Sequence, residues 1–337
     1  LVVAHPAPTA TADQPTKENT VKFLHVMDPI ERVDITKDTS FVFIREAQLR
    51  GHENFYCGTS DLAFDRGRVV ARSASLKVSD VQGQHAEVGP WNWLQGEDFD
   101  CVFMRKDPPF DTDFFFATHL LSLIDTEKTF VFNSAHGLRE ATEKMFILRF
   151  PDLIAETMVS ASPDAILDFR DRVGGDIVVK PLDGCGGLGI FRIARGDLNT
   201  YSILETSTRH GMRPVMAQRF LPESRAGDTR LLYLDGRPLG AIKRVPKETD
   251  LRGNIHVGGT VIPQEIGELE RSICAALHPS LEALGIYFAG LDVIGEYLTE
   301  VNVTSPTGVQ ESNRIGGFRL ETKVIEFVEG KCRELER

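Results

Sequence analysis

GCGGLG at Gly184–Gly189 is followed by IFRIA, and that order limits which nucleotide folds the chain can adopt. The residues match G-x-G-x-x-G letter for letter. A dinucleotide site, however, needs those glycines to open a helix whose N-terminus faces the pyrophosphate. IFRIA alternates and is β-branched, so a strand follows. DIVVK in front of the loop is a strand as well, and the glycines therefore close a β-hairpin. One or two positive-φ positions suffice for a turn, and four glycines in six residues exceed that. A bare-backbone flap lying over nucleotide phosphates accounts for the excess, with Gly184, Gly186 and Gly187 as its phosphate-facing positions. Lys180, ending DIVVK, is a point charge suited to the α- or β-phosphate, and Lys144 on the preceding helical segment is a second. Cys185 in the flap reads as structural filler.

The pattern changes near residue 140. Before it, VKFLHVMD, NFYCG, RVVARSASLKV, DFDCVFMRKDPPF and TFVFNSA read as strands. DTSFVFIREAQLRGH, capped at Thr39 or Ser40 and stopped by Gly51, and TDFFFATHLLSLIDT read as helices. Strands alternating with helices predict an open, mostly parallel α/β domain over 21–140. EATEKMFILRF then reads as helix. PVMAQRFLP, DTRLLYLDGRPLGAIKRVP (turning at Asp235-Gly236) and YFAGLDVIGEYLTEVNV read as antiparallel hairpin material, with helix over IPQEIGELERSICAALHPSLEALG between them. This second half is α+β, and no internal repeat is visible.

In GLDVIGEYLTEVNV, Glu300 and Asn302 are two apart and share a face. Asp292 joins them if the loop is the three residues Gly295–Tyr297, whereas a two-residue loop puts it on the other face. Facing carboxylates in an apolar hairpin need a cation, and oxygen donors without His or Cys select a hard one such as Mg²⁺ (or Mn²⁺). Thr304 and Ser305 continue the polar cluster. Arg230 and Arg244 flank the Asp235-Gly236 turn, and Arg252 lies in LRGNIHVGG, a glycine-rich lid-like loop. Together these guanidinium groups point to an anionic substrate.

The net charge of −11 argues against a nucleic-acid backbone as partner. No apolar run is long enough to span a bilayer, so no membrane partner is expected. Cys57, Cys101, Cys185, Cys274 and Cys332 are scattered and never spaced C-x-x-C, which suggests neither disulfides nor zinc and fits a reducing, cytoplasmic setting. Residues 1–20 read as a flexible tail.

KPLDGCGG at Lys180–Gly187, DTRLLYLDG, RGNIHVGG and LDVIG…LTEVNVTSPTG together resemble the ATP-grasp superfamily. With MDPIERVDITKDTSF and MRKDPPFDTDF, the chain is similar to bacterial glutathione synthetase from about Lys22 to Gly317. MRKDPPFDT and NVTSPTG carry the specificity. The resemblance implies an N-terminal α/β substrate domain (21–140) and two ATP-grasp lobes: 141–220 with the flap, and 221–337 with the metal site and lid. It implies ATP phosphates on Lys144 and Lys180, adenine at the Gln218–Leu221 hinge with Phe220, and Asp228 near the ribose. Magnesium would lie on Asp292, Glu300 and Asn302. Arg230, Arg244 and Arg252 would face the peptide and the transferred phosphoryl group, and Asn254, Thr304 and Ser305 the peptide or glycine. The implied reaction ligates γ-glutamylcysteine to glycine with ATP through an acyl phosphate, in a homo-oligomer, a tetramer by resemblance. An ATP-grasp ligase of other substrates and a nucleotide-binding regulator are the rival readings. MRKDPPFDT weighs against the first, and the presence of Asp292, Glu300 and Lys180 against the second.

Overall fold

The computed structural model describes residues 20–184, 186–247 and 259–335. Cys185, Arg252, Asn254 and nearly all of the expected tail lie outside the described residues. In chain order the first layer contains β1 (Lys22–Val26), α1 (Thr39–Leu49), β2 (Glu53–Cys57), β3 (Leu62–Asp65), β4 (Arg68–Val78), β5 (Ala86–Gln95), β6 (Cys101–Met104), α2 (Thr112–Leu121), β7 (Phe130–Phe132) and α3 (Ala135–Glu140). The strands form one sheet ordered β3-β4-β2-β1-β6-β7, with β5 on β4. Phe23, Leu24 and Val26 of β1 are buried, as a central strand covered on both faces requires. The sheet is less parallel than its sequence pattern predicts. β2-β1-β6-β7 is parallel, but the ladders of β4 with β2, β3 and β5 are antiparallel. β5 escapes the sequence reading because AEVGPWNWLQ is largely exposed and its alternation is broken by Gly89-Pro90.

The α1 cap is also one residue earlier than expected. The Asp38 carboxylate accepts from the Phe41 amide at 2.6 Å, while Thr39 and Ser40 are buried in the first turn. Ser40 Oγ instead accepts from Arg105 Nε at 3.0 Å.

The second half continues with β8 (Thr157–Ser160), α4 (Pro163–Arg172), β9 (Ile177–Pro181), β10 (Phe191–Ile193), α5 (Thr200–Ser207) and β11 (Val215–Arg219). These strands pair antiparallel in the order β10-β9-β11-β8. They enclose their own core of Ile166, Phe169, Val179, Ile193, Leu204 and Val215. Next come β12 (Asp228–Leu234), β13 (Arg237–Val245), β14 (Thr260–Pro263), α6 (Glu268–Ala283), β15 (Phe288–Ile294), β16 (Tyr297–Asn302), α7 (Val309–Gly316) and α8 (Leu320–Leu335). This sheet is antiparallel, ordered β14-β13-β12-β15-β16.

Two helical expectations shift. α6 begins only at Glu268, because Ile262 and Pro263 belong to the edge strand β14. EATEKMFILRF is not one helix: α3 stops at Glu140, and a short tight helix spans Phe146–Arg149. The Glu143 carbonyl accepts from the Val301 amide of β16 at 3.0 Å, so it is spent on the sheet rather than on a helical bond.

Two sets of contacts show how the halves are sutured. α8 returns to the first layer, where Phe327 meets Phe130 and Phe132 and Glu329 pairs with Arg50 and His52. The Asn133 amide bridges β7 to the last sheet. Its Nδ2 donates to Phe288 O at 2.7 Å and Val303 O at 3.3 Å, and its Oδ1 accepts from the amides of Tyr287 and Phe288.

Candidate active site

The turn between β15 and β16 holds two residues, Gly295 and Glu296. Strict alternation would then put Asp292 and Glu300 on opposite faces. They are nonetheless direct partners, because the register shifts between Asp292 and Val293 and leaves Thr299 as an extra residue opposite them. The Thr299 hydroxyl secures this bulge by donating to Asp292 O at 3.0 Å. The dependence on an odd-numbered loop is thereby corrected: an even loop plus a bulge brings Asp292, Glu300 and Asn302 to one face.

These acids meet a dense set of cations. Arg230 grips Asp292 with both ends of its fork, Nε to Oδ1 at 2.6 Å and Nη2 to Oδ2 at 3.1 Å. Arg244 reaches Asp292 Oδ2 at 3.0 Å and also binds Asp228. Burial works to raise the Asp292 carboxyl, but the two guanidinium groups hold it well below the usual carboxylate range. Burial pushes the Asp228 carboxyl up, with Arg244 opposing. Asp228 is thus committed to Arg244 across the β12–β13 ladder.

Lys144 Nζ lies 2.8 Å from Glu300 and donates to Gly184 O at 2.5 Å, tying the flap to the acidic hairpin. Lys180 Nζ donates to Gln218 Oε1 at 2.5 Å, and Gln218 Nε2 donates to Thr157 Oγ1 at 2.8 Å. Burial pushes the Lys180 ammonium down to about 8, with Glu300 opposing and Lys144 adding to the shift. Past Gln218, Arg192 stacks on the Phe220 ring at 4.2 Å and Leu221 is buried. In the flap, Gly186 and Gly187 take φ of 62° and 78°, which side chains rarely adopt.

A cavity of about 760 Å³ runs from this cluster into the first layer. Arg230, Arg244, Glu300, Asn302, Thr304 and Ser305 line one end, and residues of the Met27–Asp38 segment line the other. The loop after β16 is pinned by its backbone: Pro306 O accepts from Arg105 Nη2 at 3.1 Å, and Thr307 O from Arg230 Nη1 at 3.0 Å.

Two residues here carried no sequence assignment. Arg105, buried between the Phe43 and Phe288 rings, ties α1 to the Pro306 loop. It stands out in sequence only as the arginine of MRKDPPF. Glu143 accepts from Thr304 Oγ1 at 2.9 Å, and burial plus Glu300 raises its carboxyl to about 7. In sequence it looks like an ordinary acid beside Lys144.

Among the described residues no group of three or more His, Cys, Asp or Glu could hold a metal ion. Two carboxylates and an amide suit a hard cation whose remaining ligands come from substrate oxygens. The local hydrogen bonds agree. Asn302 Nδ2 donates to Gly290 O and Asp292 Oδ2, which leaves the amide oxygen as the end for a cation. Asp292 Oδ2 already accepts from Arg230, Arg244 and Asn302, so Oδ1 is the oxygen with spare capacity.

A glycine flap over a lysine pair, joined to an antiparallel sheet with an acidic hairpin, defines an ATP-grasp ligase. D-cycloserine synthetase DcsG shares the fold at a TM-score of 0.62 and 17% identity, covering 91% of this chain and 99% of that one. The ATP-grasp ligase PsnB, in a complex with Mg and ADP, gives 0.61 at 17% identity, covering 93% and 99%. Residues 21–139 match the sequence model of the prokaryotic glutathione synthetase N-terminal domain, and residues 143–317 that of its ATP-grasp domain. The glutathione synthetase of Synechocystis sp. is 44% identical over 318 residues, 92% of this chain and 99% of the relative. That of Brucella melitensis is 44% identical over 305 residues, 90% and 97%. The chain belongs to the prokaryotic glutathione synthetase family, and its activity is that of an ATP-dependent, glutathione-forming ligase.

Proposed function

We propose that the chain joins the cysteinyl carboxylate of γ-glutamylcysteine to glycine, with ATP supplying the phosphoryl group of an acyl-phosphate intermediate. The observation that carries this is the ion pairing of Lys144 with Glu300 and of Arg230 and Arg244 with Asp292, beside a cavity lined by Arg230, Arg244 and Glu300. Four cations, Lys180 being the fourth, face four carboxylates, Asp228 and Glu143 being the other two, and with the Glu143 carboxyl raised to about 7 the cluster suits a polyanion and a substrate carboxylate together.

A carboxylate is a poor acylating agent because oxide would have to leave. Phosphorylation replaces that leaving group with phosphate, and the glycine amine then attacks the carbonyl carbon, giving glutathione, ADP and phosphate. Lys144 and Lys180 orient the phosphates beneath the flap, and Gln218 to Leu221 line the adenine side. Arg230 and Arg244 hold the reacting carboxylate and offset the charge that builds on the transferred phosphoryl group. Asp292, Glu300 and Asn302 would hold Mg²⁺ or Mn²⁺, which supplies charge neutralisation of the phosphates when bound. Thr304 and Ser305 border the peptide.

The reading includes a first domain over 21–140, lobes over 141–220 and 221–337, a homotetramer and a cytoplasmic setting. Among the described residues no helix is long and apolar enough to cross a membrane. Incubation with ATP, Mg²⁺, γ-glutamylcysteine and glycine tests it. Glutathione and ADP should form in equal amounts, and no product, or product without magnesium, would refute it. Sedimentation of the purified chain measures the tetramer.

A further inference from the structure

The end of the large cavity away from the reacting cluster is walled by a stretch of chain that other elements hold in place. Arg32, Asp34, Lys37 and Asp38 line it. Their segment, Ile30 to Asp38, contains one short tight helix at Ile30–Arg32 and a turn in which the Lys37 and Asp38 amides donate to Asp34 O. Several of its other backbone groups find their partners in side chains from outside. From α7, Gln310 Nε2 donates to Ile35 O at 3.0 Å and to Asp38 O at 2.6 Å, and Arg314 donates to Thr36 O.

The second grip comes from the loop joining β4 to β5. Gln82 Oε1 accepts from the Ile35 amide at 3.1 Å, and its Nε2 donates to Val33 O at 3.1 Å. One side-chain amide thus flanks Asp34 with the acceptor and donor that a neighbouring strand would offer. His85 Nδ1 accepts from the Gly83 amide at 3.2 Å, so the ring proton sits on Nε2, which donates to Ile30 O at 2.7 Å. Neither Gln82 nor His85 is among the described residues that line the cavity. Their hairpin also explains an odd strand. β5 is largely exposed and pairs with β4 alone among the described strands, so it adds little to the core. It does complete the hairpin whose tip carries Gln82 and His85.

We propose that the β4–β5 hairpin is a positioning arm, whose Gln82 and His85 fix the Ile30–Asp38 wall and thereby set the affinity for the γ-glutamyl peptide. The inference rests on the glutathione-forming reading. In that reaction ATP lies beneath the flap and glycine is the smallest substrate. The peptide is what extends from the arginines to this wall. Gln82 and His85 touch no substrate and act through the backbone they hold.

The test uses the full chain with ATP, Mg²⁺, γ-glutamylcysteine and glycine. Gln82→Ala removes two neutral hydrogen bonds, together worth about tenfold, and should raise KM for the peptide by about that factor. KM for ATP and kcat should stay within about twofold, the pattern of lost binding without lost chemistry. His85→Leu should act in the same direction. His85→Gln, which keeps an N–H close to the place of Nε2, should recover most of the peptide affinity. Gln82 is exposed, so Gln82→Ala decides alone if His85→Leu does not fold. No glutathione from the wild-type chain would refute the parent reading, and this inference with it. Normal wild-type synthesis with an unmoved peptide KM in Gln82→Ala would overturn this inference alone. So would KM for ATP and peptide rising together, which marks a general loss of structure.

Discussion

Replacing Asp292 with asparagine should cost the protein stability as well as activity, and the size of the loss follows from its contacts. Asp292 is 5% exposed and is the shared counterion of Arg230 and Arg244, both equally buried. Removing one partner of a buried ion pair costs about 3–5 kcal/mol, mostly from the charge left behind. Arg244 keeps Asp228, and the new amide oxygen can still accept one hydrogen bond, so the low end applies, about 3 kcal/mol. In a chain of this length each kcal/mol moves the melting midpoint by about 2 °C, giving a fall of about 6 °C. The pH dependence has a definite sign. The folded-state pKa of Asp292 is depressed, so its stabilisation is fully present above the unfolded value, about 3.9, and is lost only as pH falls through the lower folded value. Asp292 itself therefore adds no pH dependence to the gap between wild type and Asp292→Asn from pH 5 to 8, and any slope there comes from Lys180 and Asp228, whose titration its charge biases. Calorimetry across that range, without ATP or metal, decides it. A folded variant melting within 1 °C of wild type across that range would refute the buried-clasp argument.

Glu300 offers the contrast, because its side chain is 22% exposed and meets Lys144 at the cavity edge. Glu300→Gln should lose about a hundredfold or more in kcat with little change in melting, and near-normal turnover at saturating magnesium would count against its metal role. For Asp38, burial raises the carboxyl to about 6 from 3.8. Its ionised form is therefore disfavoured by folding, and this penalty is relieved as pH drops from about 6 toward 4. Asp38→Asn keeps an N-cap, so it should melt above wild type at pH 7 and lose that advantage by pH 4; an advantage growing toward low pH would contradict this. Asn133→Leu strips partners from the amides of Tyr287 and Phe288 and from the carbonyls of Phe288 and Val303. A loss of roughly 3 kcal/mol or more in denaturant unfolding is expected, and an unchanged midpoint would show that the bridge is dispensable.

Which of these features could be read from the chain alone follows from how local their cause is. The flap was legible because its cause lies within a dozen residues: glycines between two alternating strands, with φ above zero at Gly186 and Gly187. The partners of Asp292 were not, since Arg230 and Arg244 reach it from two other strands of the same sheet. Sequence offered them as substrate-facing arginines, whereas in the structure much of their charge is already matched by Asp228 and Asp292. Glu143 was invisible for a related reason. Its role depends on Val301 and Thr304, more than 150 residues away, and the helix its neighbours suggest is abandoned to satisfy them.

The hairpin shows most directly what a period-two argument leaves out. Alternation assigns each residue a face only while the ladder is unbroken. One bulge at Thr299 inverts the outcome for everything beyond it, so the loop length that seemed decisive has no bearing until the bulge is counted. The inversion serves the chemistry, because without it Asp292 and Glu300 would lie on opposite faces. The Thr299 hydroxyl, bonded to Asp292 O, fixes the bulge that sets Asp292, Glu300 and Asn302 on one face. A bulge beside a reactive site re-aims a side chain, and here it turns Glu300 and Asn302 onto the face of Asp292, on which both arginines depend.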